Sequence, residues 1–309
     1  MKALIIYFSQ TGNTEKVAKA IQAGVKQVTG HCDILKLKDA NPRRLYEYDL
    51  IGLGFPIMKF VEPGNVRAFI NNMRFVGGKH VFVFCTHCTM WSYKQSIVPR
   101  LEHRGMTVIG ARDWYGHSNG PLALPTPYFT DGHPDEIDLK EAKDFGREIV
   151  ERSRRISAGE TSLIPPKPKP EPMPEGYQIV DDALNWRKMA KLNMEKCTYP
   201  ECRLCMDNCP IDGIDLTVKP PVYANPCIDC MFCGQICPTG AIEIDNDRME
   251  AAAEQMRKLA KETFLPHVLE AKAQGHLRTL VSMEDIGWDT PLFKVYNTNP
   301  RWVIGKGRQ

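Results

Sequence analysis

Eight of the eleven cysteines lie between Cys197 and Cys237. They form two runs, Cys197-x4-Cys202-x2-Cys205-x3-Cys209-Pro210 and Cys227-x2-Cys230-x2-Cys233-x3-Cys237-Pro238. Thiols crowded this way, in a chain with no secretory signature at its start, point to metal rather than disulfides. Four-cysteine zinc modules also use Cys-x-x-Cys, and a single surviving cluster is a further alternative. Paired Cys-Pro endings and evenly spaced triplets favour two iron–sulfur cubanes. A second constellation, Ser9-Gln10-Thr11-Gly12-Asn13-Thr14, follows the apolar run Ala3–Phe8 and precedes a helical pattern. Its hydroxyls, its amide side chains and the free N–H groups of a helix start all donate toward one spot. A phosphate needs such a spot, and the helix dipole favours its charge. Gly12 lets the backbone approach closely. The loop is not a Walker A motif, since no Gly-Lys-Ser/Thr follows, and the spacing of a dinucleotide fingerprint is absent.

The elements that must hold these groups follow from hydrophobic periodicity. Buried strands are expected at Ala3–Phe8, Asp33–Leu37, Asp49–Leu53, Val81–Phe84 and Thr107–Ala111. Helices are expected over Thr14–Val28, near Val66–Met73 and Tyr93–Arg104, and over Asp138–Arg155. Alternation of this kind implies a parallel sheet covered on both faces. Residues 164–175 then alternate proline with Lys, Glu and Met, an extended spacer of polyproline type. Tyr177–Glu195 reads as a helix leading into the cysteine-rich part, and Arg248–Leu265 as a helix that Pro266 breaks or kinks. The expected boundaries are 1–158 for the strand-rich domain, 159–176 for the linker, 177–247 for the cysteine-rich domain and 248–309 for a helical extension and tail.

The loop Ser9 to Thr14 resembles the flavodoxin family, whose first loop is Ser/Thr-x-Thr-Gly-Asn-Thr directly after the first strand. That resemblance implies a doubly wound five-stranded sheet of order 2-1-3-4-5, with FMN outside the carboxyl ends of the strands. It places flavin contacts on Ser9, Gln10, Thr11, Gly12, Asn13 and Thr14, and on two later loops, Gly54 to Met58 and Cys85 to Tyr93. Phe55, Pro56, Thr86, Trp91 and Tyr93 are the candidates there, with Phe55, Trp91 and Tyr93 able either to stack on the ring or to serve as core aromatics. The second cysteine run resembles the bacterial ferredoxin motif, and the first departs from it by two extra residues after Cys197. By resemblance to two-cluster ferredoxins, Cys197, Cys202, Cys205 and Cys237 hold one [4Fe-4S] cluster, and Cys227, Cys230, Cys233 and Cys209 hold the other, in a small α+β domain. The chain up to about Asp247 is similar to flavodoxin–ferredoxin fusions found mainly in anaerobic bacteria and archaea.

With 40 basic and 37 acidic residues and a net charge of +3, nothing suggests a nucleic-acid partner. Eight thiolates and two doubly positive cores would take that charge to about −1. The apolar runs are too short to cross a bilayer, so a cytoplasmic location without membrane insertion is expected, and an oligomer is compatible with all of this. Cys85-Thr86-His87-Cys88 has the form of a redox dithiol but also of a plain flavin loop. Gly116 to Gly120 matches Gly-x-Ser-x-Gly, yet prolines rather than a helix follow. The expected role is electron transfer between FMN and two [4Fe-4S] clusters for separate redox partners, converting between one- and two-electron steps, more than stand-alone catalysis. A self-contained flavin reductase of a small molecule, with His87, His117, Cys85 or Cys88 as proton donor, and a regulatory or docking module with a vestigial flavin site are the alternatives.

Overall fold

The computed structural model describes residues 1–58, 61–88, 93–117, 125, 127–169, 190–223, 227–228, 230–244, 254 and 257–289. Two compact units emerge, one of residues 1–117 and 132–175, the other of 118–131 and 176–309. The segment 118–131, placed by the sequence reading in the first domain, thus groups with the second unit.

The first unit is built on a five-stranded parallel sheet of order 2-1-3-4-5. Its strands are β1 (Ala3–Tyr7), β2 (Asp33–Lys36), β3 (Leu50–Pro56), β4 (His80–His87) and β5 (Thr107–Tyr115). β1, β3 and most of β4 are buried along their length, as strands covered on both faces must be. The helices are α1 (Asn13–Thr29), α2 (Gly64–Asn71), α3 (Lys94–His103) and α4 (Glu136–Ser157). α1 and α4 share one face, where Val17, Ile21 and Val25 meet Phe82, Phe84, Phe145 and Ile149 around Ile5 and Tyr7. Right-handed crossovers send α2 and α3 to the opposite face. β4 and β5 run further than the apolar pattern suggests, because their polar ends still pair, Thr86 with Trp114 and His87 with Tyr115.

Two glycines let α1 and α4 touch along their backbones. A Cβ on Gly24 would stand 1.9 Å from the Lys143 carbonyl oxygen, and one on Gly146 would stand 2.3 Å from that of Ile21. α4 starts from a capping box in which Asp135 accepts the Asp138 N–H at 2.9 Å and Asp138 accepts the Asp135 N–H at 2.8 Å. His133 Nδ1 lies 2.6 Å from the same Asp138 carboxylate. That network commits the carboxylates of Asp135 and Asp138 and the His133 ring to helix capping.

The second unit has short elements. β6 (Ala190–Leu192) pairs antiparallel with β7 (Ile242–Ile244), and α5 (Leu204–Asp207) and α6 (Phe232–Ile236) follow the two cysteine triplets. β6 corrects the sequence expectation of a helix reaching Glu195, because pairing with a partner strand some fifty residues away outweighs local helical preference. Residues 177–189 of that stretch lie outside the described residues. Towards the carboxyl end, residues 257–259 are helical, Ala260–Phe264 form a π-type turn, and α7 (Leu265–Ala273) follows. Pro266 therefore does not break the helix. It sits in the first turn of α7, and the wider turn before it makes room where its ring would crowd the preceding carbonyls. Trp288 closes over Phe129 at 5.9 Å between ring centroids, and the Gly287 N–H donates to the Pro127 carbonyl at 3.0 Å. No helix among the described residues is long and apolar enough to cross a membrane.

The α1–α4 contact yields a test. Gly146→Ala forces the helices apart and is expected to cost about 1–3 kcal/mol, read as a thermal midpoint several degrees lower. An unchanged midpoint would mean the two helices have room to spare.

Candidate functional sites

Strand β1 delivers the chain to the carboxyl edge of the sheet, where the Phe8 N–H still donates to Gly54 at 2.9 Å. The loop then turns tightly. Ser9 Oγ accepts the Gly12 N–H at 3.1 Å, and Gly12 takes φ 98°, a left-handed conformation that suits glycine. α1 begins at the next residue, and no side chain caps its first turn. The opening amides of this 17-residue helix are the donors that an intrahelical ladder leaves over, and the dipole adds positive character there. The donor set fits a phosphate. Two side chains of the motif have another use. Asn13 Nδ2 donates to the His117 carbonyl at 3.0 Å, and Thr14 Oγ1 shares a 2.8 Å hydrogen bond with Thr86 Oγ1. They clamp the loop to the ends of β4 and β5, and the opening amides of α1 are the donors presented to a ligand.

The second loop is tied to the third element, since the Ile57 N–H donates to Thr86 at 2.9 Å and Met58 pairs with Val61. Pro56 ends β3 half-buried. Phe55 and Tyr93 are both buried and meet edge to face at 6.0 Å. Each therefore packs as a core aromatic and presents no open ring face, the second of the two roles the sequence allows. Trp91 lies outside the described residues. Sequence reasoning missed Glu62, a fully buried carboxylate on this loop. Ser96 donates to it at 2.9 Å, and the guanidinium groups of Arg100 and Arg67 lie 3.4 Å and 3.8 Å away. The charge pins the loop to α2 and α3.

At the ends of β4 and β5 a second unforeseen pair appears, His87 Nε2 with Asp113 Oδ2 at 3.0 Å. Burial works to raise the Asp113 carboxyl, but the His87 hydrogen bond, with the charges of Lys94 and Arg112, holds it below the ordinary range. Cys85 is fully buried, and burial together with the Asp113 charge pushes its thiol well up. A thiol held protonated is a poor nucleophile, so the dithiol reading of Cys85 and Cys88 gains nothing from this geometry.

In the second unit all eight clustered cysteines are half-buried. Burial pushes the Cys205 thiol up to about 11, with Cys233, Cys237 and Cys197 as the neighbouring thiols that add to it. Cys230 is pushed up likewise, by burial and then by Cys233, Cys227 and Cys209. Cys205, Cys209, Cys227, Cys230 and Cys233 line one pocket. Cys202 is placed by its own N–H bond to Thr198 at 3.1 Å. The sulfurs also collect donors: Gly213 N–H to Cys209 at 3.2 Å, Ala241 N–H to Cys237 at 3.3 Å, and the Tyr223 hydroxyl beside Cys233 at 3.5 Å. Each Cys-Pro corner thus receives an amide four residues on. Amides aimed at sulfur favour thiolate and accept the charge of a bound iron cluster. The donor set fits clusters held by sulfur alone.

Residues 4–103 match the family model described as a flavodoxin domain. A flavodoxin of Megasphaera elsdenii is 33% identical over 114 residues, which are 34% of this chain and 80% of that protein. A ferredoxin of Methanothermococcus thermolithotrophicus is 34% identical over 55 residues, 17% of this chain and 92% of the ferredoxin. An uncharacterized protein of Methanocaldococcus jannaschii is 27% identical over 154 residues, 48% of this chain and 99% of its own length. Each of the three resembles only a part of the chain.

Two substitutions probe the sites separately. Gly12→Asp puts a carboxylate and a strained backbone where a phosphate would sit, and flavin retention measured after gel filtration should fall from near stoichiometric to near zero. Full retention would move the site elsewhere. Cys230→Ala should lower iron content by about half while flavin stays bound, and unchanged iron would remove Cys230 from the ligands.

Proposed function

The chain belongs to the flavodoxin family in its amino-terminal half and to the ferredoxin family in its cysteine-rich segment, and from that pairing we propose a flavin–iron-sulfur relay. Electron transfer follows from both families, and the flavodoxin domain implies FMN. In this reading FMN phosphate sits on the uncapped start of α1, cradled by Ser9 to Gly12, while Thr14–Thr86 and Asn13–His117 fix the loop to the sheet. Two [4Fe-4S] clusters are held by Cys197, Cys202, Cys205 and Cys237 and by Cys227, Cys230, Cys233 and Cys209. The flavin would supply two-electron chemistry and the clusters one-electron chemistry.

The observation that carries the proposal is that one chain presents both donor sets. A helix start without a side-chain cap lies in the first unit, and sulfurs furnished with amide donors lie in the second. The protein's own part is binding and tuning. Glu62 keeps the second loop closed against α2 and α3, and the amides at Cys209 and Cys237 set how much negative charge each sulfur tolerates. Conversion between two-electron and one-electron carriers serves redox partners outside this chain.

Anaerobic purification followed by reductive titration tests the reading. About eight irons, one FMN and an uptake of about four electrons per chain are expected. Iron without flavin would reduce the first unit to a docking scaffold, and zinc in place of iron would end the relay.

A further inference from the structure

The buried pair at the ends of β4 and β5 is not needed to hold a phosphate, and its geometry has a direction. His87 is 8% exposed, and its Nε2 is committed to Asp113. Its Nδ1 is buried with no hydrogen-bond partner. With the Nε2 proton given to the carboxylate, Nδ1 is a bare acceptor in the neutral ring. Thr86, one residue before it, bonds to Thr14 of the phosphate loop. The His87 carbonyl accepts the Gly116 N–H at 2.8 Å, and the next residue, His117, accepts from Asn13. An ionisable group with one vacant nitrogen therefore lies one residue from the clamp that holds the ligand loop.

We propose that His87, oriented by Asp113, is the proton acceptor that compensates reduction of the flavin. With FMN bound, its reduction by a one-electron iron–sulfur donor would be matched by one proton passing from solvent to His87 Nδ1. The ring becomes a cation, Asp113 stays a carboxylate, and no covalent bond to the flavin is made. This rests on FMN being bound at the loop described above.

The charged and titratable surroundings favour that step. From β5, Asp113 supplies a negative charge, and Tyr115 lies with its ring 4.8 Å from the imidazole. The Tyr115 hydroxyl is itself buried and held protonated by burial and the Asp113 charge. His133 lies beyond Tyr115 at 6.5 Å, its own ring occupied by Asp138. Lys94 from α3 and Arg112 act on Asp113, and Cys85 and Tyr93 stay neutral behind it because burial raises both. Within this set Asp113 is the anion that touches the imidazole, and a negative charge arriving on the flavin adds to its pull. A buried imidazole without such compensation would resist becoming a cation.

The test is the flavin potential measured spectroelectrochemically against pH in the full-length holoprotein, for wild type, His87→Gln and Asp113→Asn. FMN content is measured on each sample. Between pH 6 and 8 the wild-type flavin should take up one more proton per two electrons than His87→Gln, a slope steeper by about 30 mV per pH unit. Asp113→Asn keeps the imidazole but removes its anchor, so its steep region should move to lower pH. Equal slopes in wild type and His87→Gln, both with stoichiometric FMN, overturn the role of His87. Absence of FMN from the wild type is a different failure, of the site itself.

Discussion

A parallel sheet sends every strand to the same edge with its carbonyl end outward, and the first unit depends on that constraint. The turns after β1, β3, β4 and β5 have no choice but to meet there. Each carries one part of the site: the α1 start, the Glu62 loop, the Thr86–His87 end and the His117 carbonyl. The hydrogen bonds that join them are short and few, Phe8 to Gly54, Ile57 to Thr86, Thr14 to Thr86 and Gly116 to His87. Strand register supplies the rest of the precision. Because β4 pairs with β5 as far as His87 opposite Tyr115, the polar ends of both strands are as rigid as the core.

That rigidity is maintained from below by packing that has little to do with polar chemistry. Phe82 and Phe84 lie where Gly52 and Gly54 offer no side chain, and α1 rests directly on the α4 backbone at Gly24 and Gly146. The start of α1 is thereby held in place by contacts about two to three turns away along the same helix. In the second unit the order is reversed. Around the cysteines the elements are three to five residues long, and the buried side chains in and beside them include Ile214, Met231, Ile236 and Ile242. Small cores of this kind gain stability from bound metal.

Much of this was legible from local pattern. The five strands and four helices follow from apolar periodicity, because a buried strand or an amphipathic helix is encoded within ten to twenty residues, whereas the sheet order came from the family resemblance carried by the Ser9–Thr14 loop. The buried pairings of Glu62 and His87 were not legible, since Ser96, Arg100 and Asp113 are 26 to 38 residues away and nothing in the sequence marks them. β6 escaped for the same reason, because its partner strand lies near residue 243. The aromatics of the flavin loops were legible as residues but not as roles. Whether Phe55 faces a ligand or meets Tyr93 edge to face is decided by where Tyr93 arrives, which only the closed fold settles.

The segment 118–131 changes what counts as a separable piece. The proline-rich spacer invites a cut, as though two independent proteins had been joined end to end. Yet Tyr128 and Phe129 are fully buried, and Trp288, far beyond that spacer, lies against Phe129. A fragment ending at residue 175 would lose this cover and leave an aromatic strap open to water, a surface that invites aggregation. The two units are interleaved along the chain rather than joined end to end. A replacement for either would have to bring its own means of burying, or dispensing with, that strap.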